Sequence, residues 1–366
     1  MSATKQIKIL YAASTASHLE RFHRPYIRAL KQTGRVLLMG RGEGVDFSID
    51  FDKRFFSFAN FRAVGQIRRI LKREAFDKII VNTSLAAFLI RVALIGMRRR
   101  PVVLNIVHGY LFPEQIKGIK DRFLLLCEKL TWKQTDEIAV MNGEDLRIAQ
   151  GHRLCRGRVD FLYGMGIPDG LGVSGASDGE IRRRLCPEDE ILCTFVGELS
   201  RRKNQSFLIR AVVGLRREEI PVRLCLIGEG TERAALEQEI RELGAEQFVC
   251  LAGSRDDVPA LLSATDVYVS ASRSEGLPFN VMEAMAMGLP ILASDTKGQV
   301  DLLSPMPECL YPDEDMDAFC TKLRALCSNK ELGMGTRSYP NLEAYRLSAV
   351  FEKNLKIMKR GIPDED

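Results

Sequence analysis

Residues 272–295 read SRSEGLPFNVMEAMAMGLPILASD. Two glutamates, Glu275 and Glu283, stand eight positions apart, and a Gly-Leu-Pro turn follows the first. The apolar run 279–288 has helical composition, and Gly288 with Pro290 ends it. Pro278 suits the first turn of that helix. At ~3.6 residues per turn, Glu283 then lies about one and a half turns in, and Glu275 in the loop before it. The loop leaves a strand-like run, DVYVSAS (266–272), and the helix leads into another, PILASD (290–295). Strand, loop, helix, strand is the unit of a parallel sheet covered on both faces.

The same alternation extends in both directions. Strand-like runs occur at 7–14, 36–40, 77–84, 101–109 and 137–142, and again at 191–199, 222–230 and 248–253. Amphipathic or apolar helix-like runs separate them, among them ASHLERFHRPYIRALKQTG (16–34), in which Pro25 is expected to set the start or a kink. Between the two series lies GMGIPDGLGVSGASDG (164–179), six glycines in sixteen residues with no apolar period, the best linker in the chain. The expectation is α/β, with two doubly wound Rossmann-like domains facing a cleft. The first spans 1–170 and is completed by a crossing helix at 342–366; the second spans 171–341. Ligands of such sheets bind at the carboxyl ends of the strands.

Composition narrows the function. The chain has 366 residues and a net charge of +5. Residues 1–170 carry 29 Lys and Arg against 16 Asp and Glu, a surplus of +13, and the remainder has 24 against 32, or −8. A basic first half suits an anionic lipid surface or a phosphate-bearing acceptor, or is simply a solvated face. Nucleic acid is disfavoured, since no reading motif or basic-aromatic platform is present. The longest apolar run, AAFLIRVALIGM (86–97), is short and interrupted by Arg91, so a buried helix is expected and not a membrane span. The N-terminus reads as a start followed by a strand, not as a signal peptide. Nine cysteines without metal-ligand spacing fit a reduced, cytoplasmic protein, and no metal site is expected.

A loop entering a helix points free N–H groups and the positive end of the helix dipole at its occupant, which suits phosphate. Ionised carboxylates such as Glu275 and Glu283 accept hydrogen bonds from polyol hydroxyls. Taken alone, the pair reads equally well as a helix cap and a salt bridge. TFVGELSRRKN (194–204) supplies a strand, a glycine turn and Lys203, an ammonium for a diphosphate, and LIGEG (226–230) a second glycine loop. GEGTER lacks the third glycine of a dinucleotide fingerprint, which disfavours NAD.

Together, SRSEGLPFNVMEAMAMGLPILASD, FVGELSRRKNQ, LIGEGTER and FVCLAG resemble the retaining glycosyltransferases of family 4, and within them the enzymes of bacterial exopolysaccharide and capsule synthesis. The opening strand and helix and NIVHGYLF (105–112) extend the resemblance into the first half. It implies a GT-B fold and a metal-independent hexosyltransferase without cofactor. Its donor would be a nucleotide-sugar, expected to be a UDP-sugar. Its acceptor would be a polyprenyl-diphosphate-linked glycan at the inner face of the plasma membrane, to which the basic half binds peripherally. By motif match, Glu283 contacts the ribose, and Glu275 with Gly276, Leu277, Pro278, Phe279 and Asn280 contacts the donor sugar. Lys203 neutralises the diphosphate, with Arg201 or Arg202 supplying a second positive charge or Lys203 working alone; Arg202, Gly197 and Gly228 count among the donor-binding residues, and the strand end through Ser254 faces the base. His108 and Gly109 serve the acceptor side, with His108, Glu275 and Lys203 as catalytic residues. The sequence departs from the family at Glu198, where many members have arginine, and at LLSPMPECLYPDED (302–315), expected to trim the rim of the site. The acidic 313–315 reads as a solvated loop. Two rivals share the layout: a non-hydrolysing UDP-sugar epimerase and a catalytically silent nucleotide-sugar-binding partner.

Overall fold

The computed structural model describes residues 6–52, 57–172, 179–328, 333 and 335–362. The chain divides into two compact units, Met1–Gly166 with Ser348–Asp366, and Ile167–Leu347. Of the glycine-rich stretch expected as the linker, positions 173–178 lie outside the described residues.

In the first unit, β1 (Lys8–Thr15), α1 (Ala16–Leu30), β2 (Arg35–Arg41) and β3 (Phe47–Ser48) precede α2 (Phe58–Glu74), β4 (Lys78–Asn82) and α3 (Ser84–Leu94). Then come β5 (Val102–Val107), α4 (Ile119–Thr131), β6 (Glu137–Val140), α5 (Gly143–Gly151) and β7 (Val159–Phe161). The sheet runs β3-β2-β1-β4-β5-β6-β7, all parallel, so its order reverses between β1 and β4. Strands covered on both faces carry continuous apolar runs: Ile9 to Ala13 and Ile79 to Val81 are buried. Thr15 caps α1 by accepting from the His18 N–H, and the helix runs through Pro25, which therefore does not set its start. In α3, Arg91 is fully buried and donates to both carboxylate oxygens of Glu128 in α4, at 2.7 and 2.9 Å. That pair lets a charged residue sit in an apolar helix. No helix among the described residues is long and apolar enough to cross a membrane.

The second unit holds α6 (Gly179–Leu185), β8 (Ile191–Val196), α7 (Gln205–Arg217), β9 (Val222–Ile227), α8 (Arg233–Glu242), β10 (Val249–Gly253) and α9 (Val258–Ser263). It continues with β11 (Val267–Ser270), α10 (Phe279–Ala286), β12 (Ile291–Ser294), α11 (Gln299–Leu303), β13 (Leu310–Tyr311) and α12 (Met316–Cys327). Its parallel sheet runs β10-β9-β8-β11-β12-β13, with the reversal between β8 and β11. The atypical stretch 302–315 supplies the edge strand β13 and core: Tyr311 stacks on Phe207 and meets Phe319 edge-on. Asp315 then caps α12 through the Ala318 N–H, while Glu314 pairs with Arg273, so the acidic turn serves structure.

The last helix, α13 (Leu347–Lys359), packs into the first unit. Asn354 Nδ2 donates to the Tyr26 hydroxyl and the Gly164 carbonyl, and Arg360 beyond the helix pairs with Asp160 and Glu137.

Candidate functional site

In the second unit the strand order reverses between β8 and β11, and it is past the strand ends at such a reversal that open α/β sheets bind ligands. The β8 end carries Gly197 and the turn to Lys203; the β11 end carries Ser272 to Glu275 and then α10. The structure therefore brings the sequence-predicted donor residues of both segments to one place.

The central finding is a charge cluster built on a buried carboxylate–ammonium pair, with an exposed guanidinium beside it. Glu275 is 7 % exposed and pairs through one oxygen with the Lys203 ammonium and through the other with the Arg202 guanidinium, 2.9 Å away. Arg202 also donates to the Ser274 carbonyl. Burial alone would push the Glu275 carboxyl up. The charges of Lys203 and Arg202, with hydrogen bonds from Lys203 and Ser272, outweigh it and hold the carboxyl below the usual range. Burial pulls the Lys203 ammonium down, opposed by Glu275. Glu198, where arginine was the family expectation, is exposed and contributes a favourable charge to the same ammonium.

Separate roles were expected for Glu275 and Lys203; the fold pairs them across 72 residues. An ammonium has three donors and a carboxylate about four lone-pair sites, so both retain capacity for a ligand while paired.

Pro278 occupies the N-cap of α10, one residue before the expected first turn, and its carbonyl accepts from the Val281 and Met282 N–H groups. Asn280 donates to the Val196 carbonyl at 2.6 Å and fastens the start of α10 to the end of β8. Glu283 is the fifth residue of α10 and half-buried. The Tyr268 hydroxyl of β11 is raised mainly by burial, with Glu283 and Glu275 both adding to it, which places both carboxylates near one strand end. Gly276, Leu277 and Phe279 are half-buried around this turn, and Ser254 is exposed just past β10.

A network outside the sequence reading holds the loop. The Ser272 carbonyl accepts from Ser294 Oγ at 2.7 Å and Thr296 Oγ1 at 3.0 Å, and Gln299 Nε2 donates to both hydroxyls. Sequence offered only the signal of a Ser-Asp pair after β12. The glycine loops also meet: at Gly228, with φ of +141°, an added Cβ would lie 1.9 Å from the Gly197 carbonyl oxygen. A Gly228→Ala substitution is therefore expected to lower the melting temperature by several degrees and weaken anion binding, because the two loops must part. Unchanged melting in a thermal scan would show that the loops tolerate separation.

In the first unit His108 and Gly109 follow β5, at the carboxyl end of the sheet. The His108 ring lies 4.7 Å from that of His18 and 5.2 Å from that of His23, centre to centre. The neighbourhood of His108 is thus made of histidine.

Comparison with known proteins gives a family match. Residues 178–339 match the model described as glycosyl transferases group 1. EpsD of Bacillus subtilis, named as a glycosyltransferase, is 30 % identical over 341 residues, covering 89 % of this chain and 88 % of that protein. The UDP-Gal:alpha-D-GlcNAc-diphosphoundecaprenol alpha-1,3-galactosyltransferase of Escherichia coli is 25 % identical, covering 77 % of this chain and 74 % of its own length. A crystal structure of Anabaena Alr3699/HepE in complex with UDP and glucose superposes with a TM-score of 0.75 at 18 % identity, covering 96 % of this chain and 99 % of that one. The fold is GT-B.

Proposed function

The chain belongs to the group 1 glycosyl transferases, and we propose that it is a retaining family 4 hexosyltransferase. In this reading it moves a sugar from a UDP-sugar to a polyprenyl-diphosphate-linked glycan during exopolysaccharide or capsule synthesis. The observation that carries the reading is the Glu275–Lys203–Arg202 cluster beside the N-terminus of α10 at the switch point of the second sheet. The donor and acceptor for which the E. coli relative is named, and the UDP in the HepE complex, support the choice of substrates.

Breaking the anomeric bond puts negative charge on the leaving diphosphate. Lys203, Arg202 and the positive end of the α10 dipole are preorganised to meet that charge, with Gly197 and Gly228 allowing close backbone approach. This charge set performs the task without a metal at the diphosphate. Glu283 takes the ribose hydroxyls, the β10 end through Ser254 takes the base, and Glu275 with the turn 276–280 orients the sugar. The departing phosphate takes the proton of the acceptor hydroxyl as the new glycosidic bond forms. His108 and Gly109 serve the acceptor side.

The basic first unit supports docking at the cytoplasmic membrane face. On α4, Ile119, Leu126 and Leu130 are 86 %, 50 % and 67 % exposed and are accompanied by Lys120, Arg122 and Lys129. Such a face suits an anionic bilayer. In liposome flotation the protein should bind anionic vesicles and be released by salt; failure to float at low salt removes membrane docking.

Incubation with a UDP-sugar panel tests the function. A donor present at 100 times its Kd should stabilise the fold by about 2.7 kcal/mol. UDP release should require acceptor. Isomerisation of the sugar would instead identify an epimerase, and binding without turnover a silent partner.

A further inference from the structure

Three of the four histidines of the chain, His18, His23 and His108, converge in the first unit. One ligand nitrogen from each lies within 4.8 Å of the other two. His18 sits in the first turn of α1, His23 five residues further on the same helix, and His108 just past β5. A Nε2 to Nε2 distance of 3.3 Å separates His18 from His23, and the ring centres of that pair stand 5.2 Å apart. Two imidazoles on one tetrahedral zinc ion, at a Zn–N distance of about 2.0–2.1 Å, have nitrogens about 3.3 Å and ring centres about 5.2 Å apart. The His23 ring stands at that distance from both other rings, 5.2 Å, and the His18–His108 pair is closer, at 4.7 Å.

Hydrogen bonding accounts for only part of the cluster: the Nε2 atoms of His18 and His23 stand at hydrogen-bond distance, and His108 is left out. His23 is fully buried, and its Nδ1 lies 2.9 Å from the Tyr11 hydroxyl. His108 Nε2 is buried and has no hydrogen-bond partner among the described residues. An orphaned buried nitrogen costs stability, and a shared cation would relieve that cost.

We propose that His18, His23 and His108 bind one divalent transition-metal ion, zinc by ligand type, with the fourth position open to an oxygen ligand. Three imidazoles with an open position are a known catalytic ligand set for zinc, and imidazole ligation suits it. Tyr11 acts as a positioning residue: its hydroxyl accepts the Nδ1 proton of His23 and turns Nε2 toward the ion. The three ligands carry no charge, so the ion keeps its +2 and draws a hydroxyl or anionic oxygen to the open site. It lies in the first unit and does not replace Lys203 at the diphosphate in the second. While it is bound, His108 holds the ion and does not take a proton. Sequence spacing gave no hint, since the ligands stand at 18, 23 and 108.

The test needs neither donor nor acceptor, so its failure is distinct from failure of the transferase reading. Untagged full-length protein, stripped with chelator, is titrated with Zn²⁺ against a chromophoric competitor and separately with Co²⁺. One equivalent of Zn²⁺ should bind, and Co²⁺ should give the intense visible bands of a tetrahedral nitrogen-ligated ion. His18→Ala and His108→Ala should each lower zinc affinity at least 100-fold, Tyr11→Phe by about 10–100-fold, and His152→Ala not at all. Absence of stoichiometric zinc and of tetrahedral Co²⁺ bands in the wild type overturns the site. So does full zinc affinity in His18→Ala and His108→Ala proteins with native circular dichroism. Should either variant fail to fold, the wild-type Co²⁺ spectrum decides.

Discussion

Lys203→Ala is expected to cut sugar transfer by about 10²–10³-fold, the usual loss when one preorganised charge facing a developing anion is removed. The fold should survive, because Glu275 keeps the Arg202 guanidinium at 2.9 Å and its hydrogen bond from Ser272. Glu275→Ala is the harsher change, since it leaves the buried Lys203 without its counter-charge. Glu275→Gln keeps the shape and isolates the charge, and its signature is in the pH profile. Burial already draws the Lys203 ammonium below its ordinary value, and Glu275 opposes that pull. The charged form is the useful one and is lost as pH rises through the Lys203 pKa. Without Glu275 that loss moves to lower pH. The alkaline limb of kcat/KM should therefore shift toward neutrality in Glu275→Gln. An unmoved limb, or wild-type turnover in Lys203→Ala, would remove the charge cluster from the mechanism.

The second large effect belongs to stability. Arg91→Ala should destabilise the first unit by roughly 3–5 kcal/mol, because it strands Glu128 in a buried site. The double replacement Arg91→Met with Glu128→Leu should recover most of that loss, since two apolar side chains of similar volume need no desolvation offset. The single tryptophan, Trp132, follows α4 within a turn of Glu128 and reports on this unit by fluorescence during urea unfolding. A loss under about 1 kcal/mol in Arg91→Ala would mean that water reaches the carboxylate.

Both effects arise from residues that sequence analysis had singled out, but for different reasons. Glu275, Lys203 and Arg202 were legible as candidate donor ligands because strand-end glycines and a helix start mark the place where a parallel sheet meets phosphate. Their pairing with one another was not, since 72 positions separate Lys203 from Glu275 and only the β8–β11 adjacency joins them. Arg91 was visible as an anomaly in an apolar helix; its partner on α4 was not. The edge strands β3 and β13, two residues each, escaped notice because two residues carry no period. The stretch 302–315 departs from the family pattern at a place where the fold needs an aromatic core residue, Tyr311, packed against Phe207 and Phe319.

The sequence by itself determined the two series of apolar strand runs and the turn chemistry at their ends, because burial of both sheet faces and entry into a helix impose local constraints on residue type. Tertiary structure alone decided which distant side chains meet. It set Glu275 between two cations, fixed the Ser272 carbonyl among Ser294, Thr296 and Gln299, and gathered His18, His23 and His108. Those encounters depend on strand order and register, and neither leaves a periodic trace along the chain.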